Sequence, residues 1–220
     1  MNILIFGATG MVGQGVLREC LLAPDVERVV TIGRSVTGNT HPKLYELVHK
    51  DMYDYSGIES ELKGFDACFF CLGVSSVGMK EPDYKRVTYD LTLAAATVLA
   101  RLNPGMTFTY VTGAGTDSTE RGSSMWARVK GATENALLRL PFKAAYMFRP
   151  GVIQPLNGAR SKTPLYNGLY VVIAPLLSLA YRLWPDRMTT TEQVGRAMLI
   201  VARRGAPKVL LETPDINALR

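Results

Sequence analysis

The chain has 220 residues, 47% of them hydrophobic, and a formal net charge of +6. That length suits one large domain, or one domain with a small annex, and that apolar fraction excludes a disordered chain. The positive excess, concentrated between Arg139 and Lys208, reads as a generally basic surface; no Lys/Arg block resembles a nucleic-acid arm, so no nucleic-acid partner is expected.

The first element is an apolar strand over 2–6, and it delivers the chain into Gly7-Ala8-Thr9-Gly10-Met11-Val12-Gly13. A helical pattern over 11–22 follows, carried by Val12, Val16, Leu17 and Leu21. Strand, three glycines spaced three apart, then helix is how a nucleotide-binding βαβ unit begins. The first glycine permits the tight turn. The second lets backbone approach a pyrophosphate. The third lets the helix pack close to the strand. The ligand's phosphates then meet free N–H groups at the helix start. Gly7, Thr9, Gly10, Met11, Val12 and Gly13 are therefore candidate cofactor contacts.

A second strand over 28–32 ends in Gly33-Arg34-Ser35. A carboxylate near this point would bind a ribose 2′-OH. An arginine stands there instead, and its fork of donors suits a 2′-phosphate. Arg34 and Ser35 thus favour NADP over NAD. A third strand over 44–48 precedes Asp51-Met52, where Asp51 either accepts from the adenine amino group or is a plain helix-capping acid. A short helix over 57–63 leads to a fourth strand over 67–71. Cys71-Leu72-Gly73 ends that strand on the cofactor side.

Cys68 and Cys71 match CxxC, but they lie in an apolar strand where residues three apart point to opposite faces. A redox pair is therefore not expected. The odd count of three cysteines and a strand at the start of the chain favour a reducing cytoplasm. His41 and His49 flank no ligand cluster, so no metal site is expected.

A long helix over 83–102 shows Val87, Leu91, Ala95, Val98 and Leu102 on one face, and Asn103-Pro104-Gly105 stops it. A fifth strand over 107–112, a helix over 124–139 and a sixth strand over 144–148 follow. An apolar helix is expected at roughly 165–183. Its cleanest run, Leu169 to Ala180, is too short to span a bilayer. It reads as a buried or dimer-forming helix, with membrane-surface contact as a second reading. Thr189-Thr190-Thr191-Glu192 opens a last long helix over 191–204, and a strand over 208–212 follows. Alternating strands and helices imply a doubly wound, mostly parallel α/β sheet of the Rossmann type with a small C-terminal helical annex. The expected division is a dinucleotide-binding core at 1–150, a substrate-side cap at 151–190, and a helix and strand at 191–220 that return to the core.

The chain resembles the short-chain dehydrogenase/reductase superfamily in its extended or atypical branches. The resemblance rests on Gly7-xx-Gly10-xx-Gly13, on Thr112 at the end of the fifth strand, on Lys130-Gly131 in the next helix, and on Phe148-Arg149-Pro150-Gly151 after the sixth strand. It covers most of residues 1–155. The chain looks most like small NADP-binding oxidoreductases of the Tat-interacting-protein group and bacterial epimerase-like proteins. The resemblance implies a ribose-binding role for Lys130, with Pro150 and Gly151 beside the cofactor, and places Thr112 to orient a substrate oxygen. Members of the superfamily usually carry Tyr-xxx-Lys on this helix. Here the tyrosine position is Trp126, whose indole N–H donates but does not shuttle a proton.

Three readings stay open: a reductase of a small carbonyl or enone with another acid (Tyr84, Tyr89, Tyr166, or a water held by Trp126), a non-catalytic NADP-sensing or scaffold protein, and a sugar epimerase or dehydratase. A small-molecule substrate is the expected partner. The apolar 165–184 stretch and helix 83–102 are candidate homodimer surfaces.

Overall fold

The computed structural model describes residues 1–159 and 186–220. The helix expected at 165–183, most of the expected cap, and Tyr166 fall outside the described residues.

Seven parallel strands form one sheet: β1 (Asn2–Phe6), β2 (Arg28–Gly33), β3 (Leu44–Val48), β4 (Ala67–Phe70), β5 (Thr107–Val111), β6 (Ala144–Arg149) and β9 (Leu210–Glu212). Their spatial order is β3-β2-β1-β4-β5-β6-β9. The chain therefore winds one way from β1 to β3, returns beside β1 with β4, and winds the other way. The reversal between β1 and β4 opens a crevice at the carboxyl ends of the strands. Register is set by pairs such as Phe6 with Phe70 and Phe70 with Tyr110.

The central strands are apolar on both faces because helices cover both faces. Alternate residues divide accordingly. Ile3, Ile5 and Phe69 face one core, with Val16, Leu17, Val194 and Met198. Leu4, Phe6, Phe70 and Phe108 face the other, with Ala95, Leu99 and Leu137. The first core lies under α1 (Met11–Leu22) and α5 (Thr191–Arg204), and the second under α3 (Leu91–Leu102) and α4 (Met125–Leu138). Helices α1 and α5 touch closely: a Cβ on Gly15 would lie 2.6 Å from Thr191 Cβ. Asn103 stops α3 and binds the sheet's other connections, its amide donating to Leu62 O (2.8 Å) while its carbonyl accepts from Phe65 N (3.1 Å).

Several expected elements take a different form. The helix expected over 83–102 starts at α2 (Glu81–Lys85), with Pro82 in its first turn, and passes through a π-helical stretch, Arg86–Asp90, into α3. The helix expected at 57–63 is the 3-10 turn Ser56–Leu62. Two short strands not anticipated, β7 (Val152–Gln154) and β8 (Met188–Thr190), pair in parallel as a separate small sheet. An unanticipated α6 (Thr213–Ala218) starts at a capping box between Glu212 and Asp215.

Candidate functional site

The glycine turn is built as the spacing demands. Gly7 has φ +79, and a Cβ on it would lie 2.7 Å from the Cys71 carbonyl carbon. Gly10 N–H donates to Gly7 O (2.9 Å). A Cβ on Gly13 would lie 2.1 Å from Gly7 O, so any side chain there would force α1 off the strand. Gly10 is the N-cap of α1, with no side-chain cap and no acid in the first turn. The helix therefore presents its positive end and its free N–H groups undiminished.

Beside that turn lies a cleft of about 490 Å³, a size common for small-molecule sites. Five elements wall it. The turn contributes Gly10, Met11 and Val12. The end of β4 contributes Cys71, Leu72 and Gly73. The end of β5 and its loop contribute Val111, Thr112, Gly113 and Ala114. Helix α4 contributes Lys130, and the segment after β6 contributes Pro150, Gly151 and Ile153. A Cβ on Gly73 would meet nothing within 4 Å, so the wall there is bare backbone.

Gly7, Thr9 and Gly13 underlie the turn rather than line the cleft; Thr9 O accepts from Gln14 Nε2 (3.1 Å). Arg34 and Ser35 stand exposed in the loop after β2, beyond the cleft wall, and Arg34 has no partner among the described residues. Asp51 is exposed and accepts from Tyr53 N (2.9 Å), so its carboxylate caps a turn. The Met52 side chain is a core residue, 6% exposed; it is corrected from a cofactor contact to a packing one.

The other corrections concern the two side chains expected near the substrate. Trp126 does not line the cleft. Its indole packs over the loop that follows β5, with Cη2 3.6 Å from where a Gly115 Cβ would sit. The hydroxyl of Thr112 turns away from the cleft and donates to Glu134 Oε1 (2.7 Å). Its backbone carbonyl instead accepts from Lys130 Nζ (2.5 Å).

Glu134 was not anticipated. It is completely buried and sits one turn beyond Lys130 on α4. Arg149 Nε donates to Glu134 Oε1 (3.0 Å), and Arg149 Nη2 donates to the other carboxylate oxygen and to Ser118 Oγ. Positions 126, 130 and 134 repeat every four residues, which was the available signal that one face of α4 carries all three. Burial pulls the Lys130 ammonium down to about 8, and the nearby Glu134 carboxylate opposes that shift.

Burial pushes the Cys71 thiol up to about 12, and Cys68 packs in the core on the opposite face. All three cysteines are free. Within the loop after β5 the Asp117 carboxylate accepts from Thr119, Arg121 and Gly122, and the Asp117 N–H donates to Ala127 O of α4 (3.1 Å); the Thr119 bonds chiefly hold its carboxyl at about 2.

A family model described as the NAD dependent epimerase/dehydratase family matches residues 3–119. A mitochondrial FMP52-1 protein of Scheffersomyces stipitis is 26% identical over 179 residues, 80% of this chain and 77% of that protein. Rat HTATIP2 is 28% identical over 155 residues, 69% of this chain and 62% of that protein. Among solved structures, Gre2 of Candida albicans in complex with NADPH superposes with a TM-score of 0.72 at 12% identity, covering 96% of this chain and 77% of that one. MoeE5 in complex with UDP-glucose and NAD gives 0.69 at 16% identity, covering 96% and 75%. The structural likenesses bear on the fold. The expectation of a cytoplasmic protein is overturned by the FMP52 relatives, which are named mitochondrial.

Proposed function

The chain belongs to the NAD dependent epimerase/dehydratase family, and on that premise we propose that it binds NADP(H) in the cleft beside the glycine turn and reduces a small carbonyl or enone. The observation that carries the reading is the placement of the Lys130 ammonium and the bare N-terminus of α1 on one cleft. The donor set fits a dinucleotide. The N–H groups after Gly10 would hold the pyrophosphate. Lys130 has N–H groups beyond the one given to Thr112 O, and these would hold the nicotinamide ribose. Gly73 leaves room for the ring to lie against backbone. Arg34, exposed and unpartnered among the described residues, would pair with a 2′-phosphate. When bound, the reduced dinucleotide supplies a hydride.

A second reading rests on Trp126. With an indole where relatives of this superfamily carry a phenol, and with that indole off the cleft, the protein would bind the cofactor without turnover and report its redox state to a partner.

Fluorescence titration with NADPH and, separately, NADH tests both readings. Tight NADPH with weak NADH is expected. Binding of neither would overturn both readings. A partner whose affinity differs between NADP and NADPH would favour the second.

A further inference from the structure

A carbonyl that gains hydride at carbon must gain a proton at oxygen. The described side chains around the cleft offer few sources. The Thr112 hydroxyl is donated to Glu134. The indole of Trp126 lies off the cleft. Tyr84 and Tyr110 are 2% and 1% exposed, and burial pushes both phenols up. Tyr89 stacks under Lys85 away from the cleft wall. The Cys71 thiol is held protonated by burial.

Lys130 remains. Its Nζ reaches the cleft, donates to the neutral Thr112 carbonyl, and forms no ion pair among the described residues. The charged groups around it are Glu134 on its own helix, Arg149 of β6 bonded to that carboxylate, and Glu212 at the end of β9 behind Arg149. Because Arg149 and Thr112 both occupy Glu134, the carboxylate steadies the ammonium without seizing it.

We propose that Lys130 is the proton donor of this cleft, delivering its Nζ proton directly to the substrate oxygen. The inference rests on the reductase reading. One N–H bond of the ammonium breaks, and the new O–H bond takes the former C=O π pair. The carbon gains its C–H bond from the hydride of the reduced nicotinamide dinucleotide, which is released oxidised. The neutral amine of Lys130 then recovers a proton from water. An ammonium pulled down to about 8 suits this exchange at neutral pH.

Two measurements on the full chain test it. The first needs no cofactor: the rate of Lys130 acetylation by acetic anhydride, followed by mass spectrometry from pH of about 6 to about 11, reports its titration. A midpoint near 8 is expected, moving lower in Glu134→Gln, where the opposing carboxylate is gone. A midpoint at the ordinary 10.5 would overturn the proposal.

The second is NADPH oxidation with phenanthrenequinone as the carbonyl probe. Lys130→Arg keeps a cation and its donors but releases no proton in this range. It should retain NADPH binding and lose turnover by about 100-fold or more. Turnover at the wild-type rate would overturn Lys130 as donor while leaving the reductase reading intact. Wild-type protein that binds NADPH but does not oxidise it would overturn the reductase reading, and the proton step with it.

Discussion

Glu134 and Arg149 form a covered ion pair behind the cleft, with Arg149 Nε 3.0 Å from Glu134 Oε1 and the two side chains 0% and 10% exposed. The pair joins α4 to β6 and also fixes the Thr112 hydroxyl and Ser118. Removing one member strands a charge out of water. Arg149→Met should therefore lower stability by about 3–5 kcal/mol. Arg203→Ala, which breaks the exposed pair with Asp25, should cost at most about 1 kcal/mol. Urea denaturation of the two variants checks the contrast, and similar losses would show that the buried pair has no special weight.

The glycine turn makes a paired prediction. A methyl on Gly13 collides with Gly7 O at 2.1 Å, so Gly13→Ala should lower the urea midpoint and abolish NADPH binding together. A methyl on Gly73 meets nothing within 4 Å and enters the cleft. Gly73→Ala should leave the midpoint unchanged and weaken NADPH binding alone. Undiminished binding by that variant would show that no ligand lies against this wall.

Arg34→Glu addresses cofactor choice. Arg34 is exposed and unpartnered among the described residues, so its loss should not alter stability. Placing a carboxylate there should weaken NADPH by at least about tenfold, or ~1.4 kcal/mol, while leaving NADH unaffected. Equal loss for both in a fluorescence titration would show that Arg34 does not read a 2′-phosphate.

The Rossmann topology was legible because its signals are local. The alternation of Ile3, Ile5 and Phe69 against Leu4, Phe6 and Phe70 follows from strand geometry, and the three glycines impose their own turn. What stayed hidden depends on residues far apart in the chain. Strands β7 and β8 are three residues each and find one another only in the fold. The π-helical stretch at Arg86–Asp90 has no compositional mark. Thr112 was legible as a residue at the cleft, but the direction of its hydroxyl is decided by Glu134, 22 positions later. Trp126 was legible as a departure from the superfamily's tyrosine. Its packing over the loop at Gly115, off the cleft, is a contact made only in the fold.

Lys130 ties the site to stability. In the unfolded chain its ammonium titrates at an ordinary 10.5, and in the fold it is pulled down to about 8, chiefly by burial. Between those values the unfolded chain binds more protons than the folded one. Stability from this group therefore rises as pH increases through the window, because the fold no longer holds a desolvated charge. Below 8 both states are protonated and the penalty is constant. In Lys130→Met the penalty is absent at every pH. The variant should match or exceed the wild type at pH 7, and the wild type should gain on it steadily from 8 to 10.5. Melting temperatures of the two proteins across that range check the sign. A difference that does not change with pH would mean that Lys130 sits in water and has its ordinary pKa.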